Sequence, residues 1–325
     1  MANQQGQDEG RERGRGRESE RPDAIPTPGW RDIGLRAWEQ IGRDNVGLVA
    51  AGVAFYGLLG VFPAIAALVS VYGLLSDPVE VRRQFEAAAA VMPAEVQAIL
   101  GEQMGKVAGS GTGALSVAAA GSLVLALWSA SKGAKAFMTA MNIAYGEEER
   151  RGILKVNLVA LALTAFVVLL GVVAVMAVVV MPVALGLLDL GGATRWLVPL
   201  STWAVIVLVF VVTLAMLYRF APSRQNAKWR WVTPGSLAAV ALWLAASVAF
   251  SLYVRNFGSY NETYGSLGAV VGMMMWFWLS AFIVIMGAEL NAETERQTRR
   301  DTTTGKPKPM GQRGAYAADT VGEKP

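Results

Sequence analysis

The chain has 325 residues, of which 54% are hydrophobic and 17% are charged, and it contains neither Cys nor His. The missing cysteines exclude disulfides and thiolate chemistry, and the missing histidines exclude the commonest general base and metal ligand. So large an apolar fraction with so little charge is unusual for a soluble protein of this length and favours a membrane protein.

Both ends of the chain are polar. Residues 1–29 are rich in Gly, Arg and Glu, and residues 296–325 are similarly poor in large apolar side chains. Such segments bury too little apolar surface to offset the entropy of ordering, so we expect two disordered tails around a membrane domain spanning 30–295. The tract GRERGRGRESER looks like an RNA-binding Arg/Gly segment, but its interleaved glutamates favour a solvated tail and no nucleic-acid partner.

An amphipathic segment precedes the first long apolar stretch. Between Trp30 and Arg43, the residues Trp30, Ile33, Ala37 and Ile41 share one helical face. The segment therefore predicts an N-terminal helix lying in the membrane interface.

Six apolar stretches of at least 20 residues follow, and each is long enough to cross a bilayer core as a helix. The sequence thus predicts an all-α integral membrane protein with six transmembrane helices. The stretches are Val46–Leu75, Gly113–Met138, Val156–Leu188, Trp196–Tyr218, Val232–Val254 and Tyr264–Leu290. Residues 77–112 form an outside loop, in which the pattern predicts two amphipathic helices, Val79–Met92 and Ala94–Val107.

Proline and glycine mark three places within these stretches. Pro63 lies well inside the first and predicts a kink, either filled by a neighbouring helix or forming a discontinuous helix that lines a cavity. The second stretch is rich in Ala, Gly and Ser, which favours close helix packing. The sixth has a small-residue face with GxxxG spacing for helix packing. That face consists of Gly265, Gly268 and Gly272.

The distribution of positive charge predicts the orientation. If the N-terminus is cytoplasmic, six spans return the C-terminus to the same side, and 24 of the 29 Lys and Arg residues lie in cytoplasmic segments. This agrees with the positive-inside rule, so we expect a bacterial inner-membrane protein with both ends in the cytoplasm.

No catalytic motif is present. The chain has no HExxH, no P-loop and no spacing of residues that suits a metal site, and without His it cannot form a Ser-His-Asp triad. We therefore expect no enzymatic activity, no cofactor and no metal.

A few polar residues near the apolar stretches are candidate substrate contacts. On the cytoplasmic side, Lys132, Lys135, Arg219 and Glu289 lie at the ends of predicted spans, and Tyr56 lies within the first. Glu289 either pairs with a lysine or with Arg219, or these side chains extend separately into the headgroup region. The sequence leaves both arrangements open.

Five segments carry a recognisable combination of residues. They are AAGVAFYGLLGVFPAI (50–65), LWSASKGAKAFMTAMNIAYGEEER (127–150), LYRFAP (217–222), TPGSLAAVALWLAASVAFSLYV (233–254) and YGSLGAVVGMMMWFWLSAFIVIMGAELNAE (264–293). Together and in this order they resemble the YihY/BrkB family of bacterial inner-membrane proteins, once labelled ribonuclease BN. Gly60 stands where a Ser is expected in many relatives. The resemblance implies six spans, cytoplasmic ends and an envelope-related transporter with lipid-type substrates.

Two functions remain open. One is a transporter or flippase-like protein for a lipid or other amphiphile, because a charge-poor interior suits an acyl chain better than a bare ion. The alternative is a non-transporting envelope scaffold that binds partner proteins. Membrane lipids are the expected partners in both.

Overall fold

The computed structural model describes residues 14–75, 115–186, 194–256 and 266–323, and these residues form α-helices joined by turns. Two short features accompany the helices: a 3-10 helix at Pro22–Ala24 and an antiparallel bridge between Ala227 and Thr303. The helices are α1 (Thr27–Arg43), α2 (Val46–Leu75), α3 (Leu115–Ala144), α4 (Ile153–Gly186), α5 (Thr194–Phe220), α6 (Trp229–Asn256), α7 (Ser266–Glu295) and α8 (Tyr316–Asp319).

The prediction of an all-helical membrane protein is confirmed in the described residues. Helices α2 to α7 coincide with the six predicted apolar stretches, and four of them are long and apolar enough to cross a membrane. A shorter apolar helical segment lies at Val46–Gly60. The two amphipathic helices predicted for residues 77–112 lie outside the described residues. The four segments that are long and apolar enough to span a membrane are Ile153–Ala177, Trp196–Phe220, Trp229–Val254 and Val270–Glu295.

Helix α1 occupies the segment predicted as an interfacial helix and begins three residues earlier, with a proline in its first turn. Its buried face includes Ile33, Arg36 and Ala37 and packs against α7, whereas Trp38 on another face is 75% exposed. The helix ends at Arg43, with Asp44 as its C-cap. Asn45 follows with a φ of 50°, a left-handed conformation that Asn tolerates, and α2 starts at the next residue.

The chain forms two compact units. The first comprises Met1–Phe55, Ala136–Ile153 and Val211–Pro325, and the second comprises Tyr56–Lys135 and Leu154–Phe210. Both tails thus belong to the first unit, where we expected them to be separate from the membrane domain. The unit boundaries cut through α2, α3 and α5, and they separate Ile153 from the rest of α4.

In the second unit, α2 and α3 approach closely through small residues. A Cβ built on Gly60 would lie 3.4 Å from the Ala130 carbonyl oxygen, and one built on Gly133 would lie 3.5 Å from the Tyr56 carbonyl oxygen. The close packing predicted from the Ala/Gly/Ser-rich second stretch occurs here. Helix α2 is assigned as continuous through Pro63, and the predicted kink stays a prediction.

In the first unit, α6 and α7 cross at glycines that the sequence analysis did not select. A Cβ on Gly287 would lie 2.8 Å from the Gly235 carbonyl oxygen, so the two backbones meet without intervening side chains. At Gly272, by contrast, a Cβ would have no neighbour within 4 Å. Gly272 therefore has no close-packed neighbour among the described residues, Gly265 and Gly268 lie outside the residues whose side chains are described, and the helix-packing role of this face stays a prediction.

Asn291 hydrogen-bonds to the backbone of α6 beside Pro234, which lacks an N–H group for the helix. Helix α6 begins at Trp229, so Pro234 lies inside it, in its second turn. The Asn291 carboxamide accepts a hydrogen bond from the Gly235 N–H at 2.7 Å and donates one to the Val232 carbonyl at 3.1 Å. Backbone groups around the proline are thereby satisfied from α7.

The polar tails differ from the expected disordered chain over most of their described length. Arg17 is buried and donates a hydrogen bond to the Gly322 carbonyl at 2.7 Å, and the Arg299 N–H donates to the Arg17 carbonyl at 2.8 Å. Arg15 forms an ion pair with Asp32 of α1 at 2.6 Å. Hydrogen bonds from charged side chains and backbone groups fix the described parts of the tails. A prediction of disorder from amino-acid composition takes no account of such bonds.

Candidate functional site

The polar residues of the first unit converge where several helix ends meet. We use "polar end" for the C-terminal ends of α5 and α7, the N-terminal end of α6, and the turn after α3. The Tyr218 hydroxyl donates a hydrogen bond to the Val284 carbonyl at 2.8 Å and joins α5 to α7. The Ser223 N–H donates to the Asn142 side chain at 2.7 Å and joins the α5–α6 loop to α3.

The end of α3 places Tyr145 in this region. Gly146 has a φ of +65°, its N–H donates to the Ile143 carbonyl, and the Glu147 N–H donates to the Asn142 carbonyl at 2.8 Å. This is a Schellman termination, and it explains the glycine in the sequence NIAYG. Tyr145 is 1% exposed, and burial raises its pKa above the ordinary value for a phenol.

A buried ion pair joins the α5–α6 loop to the end of α7. Arg224 donates two hydrogen bonds to Glu295, at 3.1 and 2.6 Å, and its guanidinium lies 4.9 Å from the centroid of the Tyr145 ring. The Thr302 hydroxyl also donates to Glu295, at 2.6 Å. Burial alone would lower the pKa of Arg224, but the charge and hydrogen bonds of Glu295 outweigh this and raise it.

A second buried ion pair joins α1 to α7. Arg36 donates to the Glu293 carboxylate at 2.5 Å and to the Gln297 side chain at 2.8 Å. Glu293 also forms an ion pair with Arg296, one turn further along the chain. Two guanidinium groups therefore compensate the charge of this single carboxylate.

The α3–α4 turn carries a more exposed charge pair. Arg151 donates to Glu149 at 2.7 Å and to the Ala221 carbonyl at 2.8 Å. The hydrogen bonds from Arg151 lower the pKa of Glu149 to about 2. Through Arg151, the turn is bound to the end of α5.

Glu289, one of the predicted site residues, is fully buried. Neither of its carboxylate oxygens accepts a hydrogen bond from the described residues, and no ion pair joins it to Arg219 there. The pairing considered for Glu289 is thus not formed with Arg219. Asp44, in the α1–α2 turn, and Glu293 lie close enough to interact electrostatically with it.

Arg219, a second predicted residue, lies against aromatic rings. Its guanidinium carbon is 4.1 Å from the centroid of the Trp229 ring and 5.4 Å from that of Phe220. Its Nε and Nη1 atoms are buried and donate to no acceptor in the described part of the chain. A guanidinium on an aromatic face is attracted to the ring electrons, and here two of its nitrogens keep their donor capacity.

The other predicted residues belong to the second unit. Lys132 is exposed, and the Lys135 ammonium lies 5.5 Å from the centroid of the Trp128 ring. Tyr56 is about half exposed, at 46%. Of the five predicted residues, Arg219 and Glu289 belong to the first unit, and Tyr56, Lys132 and Lys135 belong to the second.

Sequence reasoning missed most of the polar end, although some positions carried a signal. Arg36 follows Ile33 by three residues and precedes Ala37, so it interrupts the apolar face of α1. A charge on such a face indicates a buried partner. Arg224 and Glu295 offered no comparable pattern, because they are 71 residues apart and their pairing depends on tertiary structure.

Comparison with known proteins gives matches over most of the chain. The family model described as "Virulence factor BrkB" matches residues 37–312. The ribonuclease-like protein YfkH of Bacillus subtilis is 37% identical over 180 residues, which cover 52% of this chain and 63% of that protein. No solved structure matches.

The matches to membrane proteins named UPF0761 are shorter. One from Idiomarina loihiensis is 32% identical over 93 residues, covering 29% of this chain and 32% of its own length. One from Aeromonas salmonicida is 36% identical over 84 residues, covering 25% and 28%. In each comparison the match spans less than two thirds of the relative. The family match covers well over half of the chain, and with the long apolar helices it shows that this protein is a membrane protein of the BrkB family.

Proposed function

We propose that this protein is a flippase-like inner-membrane transporter that moves a lipid or other amphiphile with an anionic headgroup, and that it has no enzymatic activity. The observation that carries the proposal is Arg219. Its guanidinium stacks on Trp229 at 4.1 Å, and two buried nitrogens have no acceptor among the described residues. Phosphate and carboxylate groups are the anions that an arginine with free donors binds best.

The surroundings of Arg219 suit the apolar part of an amphiphile. Trp229 is 48% exposed and Phe220 is 36% exposed, so both rings are available to an apolar chain. Arg36 and Arg224, by comparison, donate directly to carboxylates. Among these three arginines, Arg219 therefore has the greatest capacity for an external anion.

The proposal places six spans in a bacterial inner membrane with both ends in the cytoplasm. Besides the four spanning segments already identified, α2 and α3 have 30 residues each. At 1.5 Å per residue each is about 45 Å long, against a hydrocarbon core of about 30 Å. The distribution of Lys and Arg supports this orientation, since 24 of 29 then lie in cytoplasmic segments.

The test is the movement of fluorescent phosphatidylglycerol and phosphatidylcholine across liposomes that contain the purified protein, with empty liposomes as the blank. We expect Arg219→Gln to slow movement of the anionic lipid at least tenfold, because it removes the headgroup contact. Arg230→Gln is the matched control, since Arg230 is an exposed arginine near the start of α6.

The double variant Lys132→Gln/Lys135→Gln examines whether the second unit contributes a contact. Equal rates for wild type and Arg219→Gln would contradict the role of Arg219. Folded protein that moves neither lipid would contradict the transporter proposal in this assay and favour the alternative, a non-transporting scaffold in the cell envelope.

A further inference from the structure

A second feature of the polar end is the isolation of the Glu289 carboxyl group. Its side chain is fully buried, and none of the described residues donates a hydrogen bond to either oxygen. Removing an ionised carboxylate from water without such donors carries a large free-energy cost. Buried carboxyl groups avoid this cost when they bind a positive charge or a proton.

The arginines on and beside the end of α7 are paired with another carboxylate. Arg36 and Arg296 both form ion pairs with Glu293, which lies one turn further along α7. Arg296 also acts on Glu289 electrostatically, but its ion pair is with Glu293. Asp44 and the buried hydroxyl of Tyr145 interact with Glu289 as well, and neither supplies a positive charge.

Asp44, in the α1–α2 turn, lies close enough to Glu289 to interact with it electrostatically. It caps the end of α1, and its Oδ2 atom accepts a hydrogen bond from Gln40 at 3.0 Å. Its side chain is only partly buried. Two carboxyl groups can hydrogen-bond to each other only when one of them carries a proton.

We propose that the buried Glu289 carboxyl group is a proton-binding site that holds a proton in the folded protein, beside Asp44 of the α1–α2 turn. The site itself does not depend on the proposed function. Its use to drive transport with a proton gradient does rest on that function.

Release of the proton would have a structural consequence. Glu289 would then be ionised close to Asp44, with no hydrogen-bond donor to it among the described residues. The Trp278 side chain of α7 donates a hydrogen bond to the Gly47 carbonyl at 2.9 Å, which joins the beginning of α2 to α7 about three turns before Glu289. Loss of the Glu289 proton would thus weaken the packing of the α1–α2 turn on α7.

Infrared spectroscopy of the full-length protein in liposomes tests the site directly. A protonated carboxyl group gives a carbonyl stretching band that shifts on deuteration. We expect this band in the wild type at neutral pH and its loss in Glu289→Gln. Asp44→Asn should keep the band, but the band should disappear at a different pH than in the wild type, because the Asp44 carboxyl group no longer interacts with Glu289.

Glu293→Gln is the matched control, because Glu293 lies on the same helix but is compensated by two arginines. It should retain the band. A band that persists in Glu289→Gln, or its absence from the wild type at neutral pH, would overturn the proposal.

Two further measurements separate the possible causes of a negative result. Glu289→Gln replaces a neutral carboxyl group by a neutral amide of the same shape, so its Tm at neutral pH should equal that of the wild type; a large drop would mean that Glu289 is ionised and paired. Lipid movement measured with and without a pH gradient distinguishes the proton-site proposal from the transport proposal. If the infrared band depends on Glu289 but no lipid moves, the proton site is supported and transport is refuted. If lipid moves but the Glu289-dependent band is absent, transport is supported and the proton site is refuted.

Discussion

The buried pair of Arg224 and Glu295 permits a quantitative prediction. Their side chains are 2% and 0% exposed, and two hydrogen bonds join them. Glu295→Gln keeps the shape of the side chain but leaves the buried Arg224 charge uncompensated. Breaking one side of a buried ion pair typically costs about 3–5 kcal/mol of unfolding free energy. We expect a loss in that range, with Thr302 losing a charged acceptor as well.

The assay is equilibrium unfolding of the purified protein in mixed micelles, followed by tryptophan fluorescence. The control is Glu39→Gln, because Glu39 and Arg43 are 2.5 Å apart but 55% and 66% exposed. An exposed helical pair of this kind contributes about 0.3–0.5 kcal/mol.

A double variant, Arg224→Met/Glu295→Gln, should recover most of the lost stability, because no buried charge then remains unpaired. Equal losses for Glu295→Gln and Glu39→Gln would refute the reasoning, since burial is the main difference between the two pairs.

Two other predictions concern helix packing and pH. Gly235→Ala should lower the free energy of unfolding by about 1–3 kcal/mol, because its Cβ would lie 2.6 Å from the Asn291 carboxamide. The control is Gly272→Ala, which has open space beside it among the described residues and should leave Tm unchanged or slightly raised. Because Arg151 lowers the pKa of Glu149 to about 2, this pair stabilises the fold above about pH 4.5, and that contribution is lost as the pH falls from 4.5 to 2. In Glu149→Gln, Tm should vary less over this interval; an unchanged pH profile would show that the pair does not contribute.

The sequence predicted the secondary structure well because lipid imposes strong rules on it. A long uncharged segment must form a helix to satisfy its own backbone hydrogen bonds in a bilayer, so the stretch Val46–Leu75 is also the observed extent of α2. Prediction was poorer for residues 296–323. Their order depends on hydrogen bonds such as that of Gly322 with Arg17, to which composition is insensitive.

For the candidate site, the sequence identified residue types but not their partners. Glu289 and Arg219 stood out as charges at the ends of apolar stretches, and an ion pair between them was reasonable on charge alone. The structure places Arg219 on Trp229 and brings Asp44 toward Glu289 instead. Opposite charge alone does not specify a partner when several are within reach along the chain.

The sequence by itself determined that this is a helical membrane protein with charge concentrated outside its apolar stretches, because the cost of burying charge and backbone in lipid acts on each segment separately. Only the tertiary structure decided which charges are compensated. Glu295 forms an ion pair with Arg224, and Glu293 forms one with Arg36. Glu289 has no hydrogen-bond donor among the described residues. The physical reason is that an ion pair or a bound proton depends on distance and burial, and helix packing sets both.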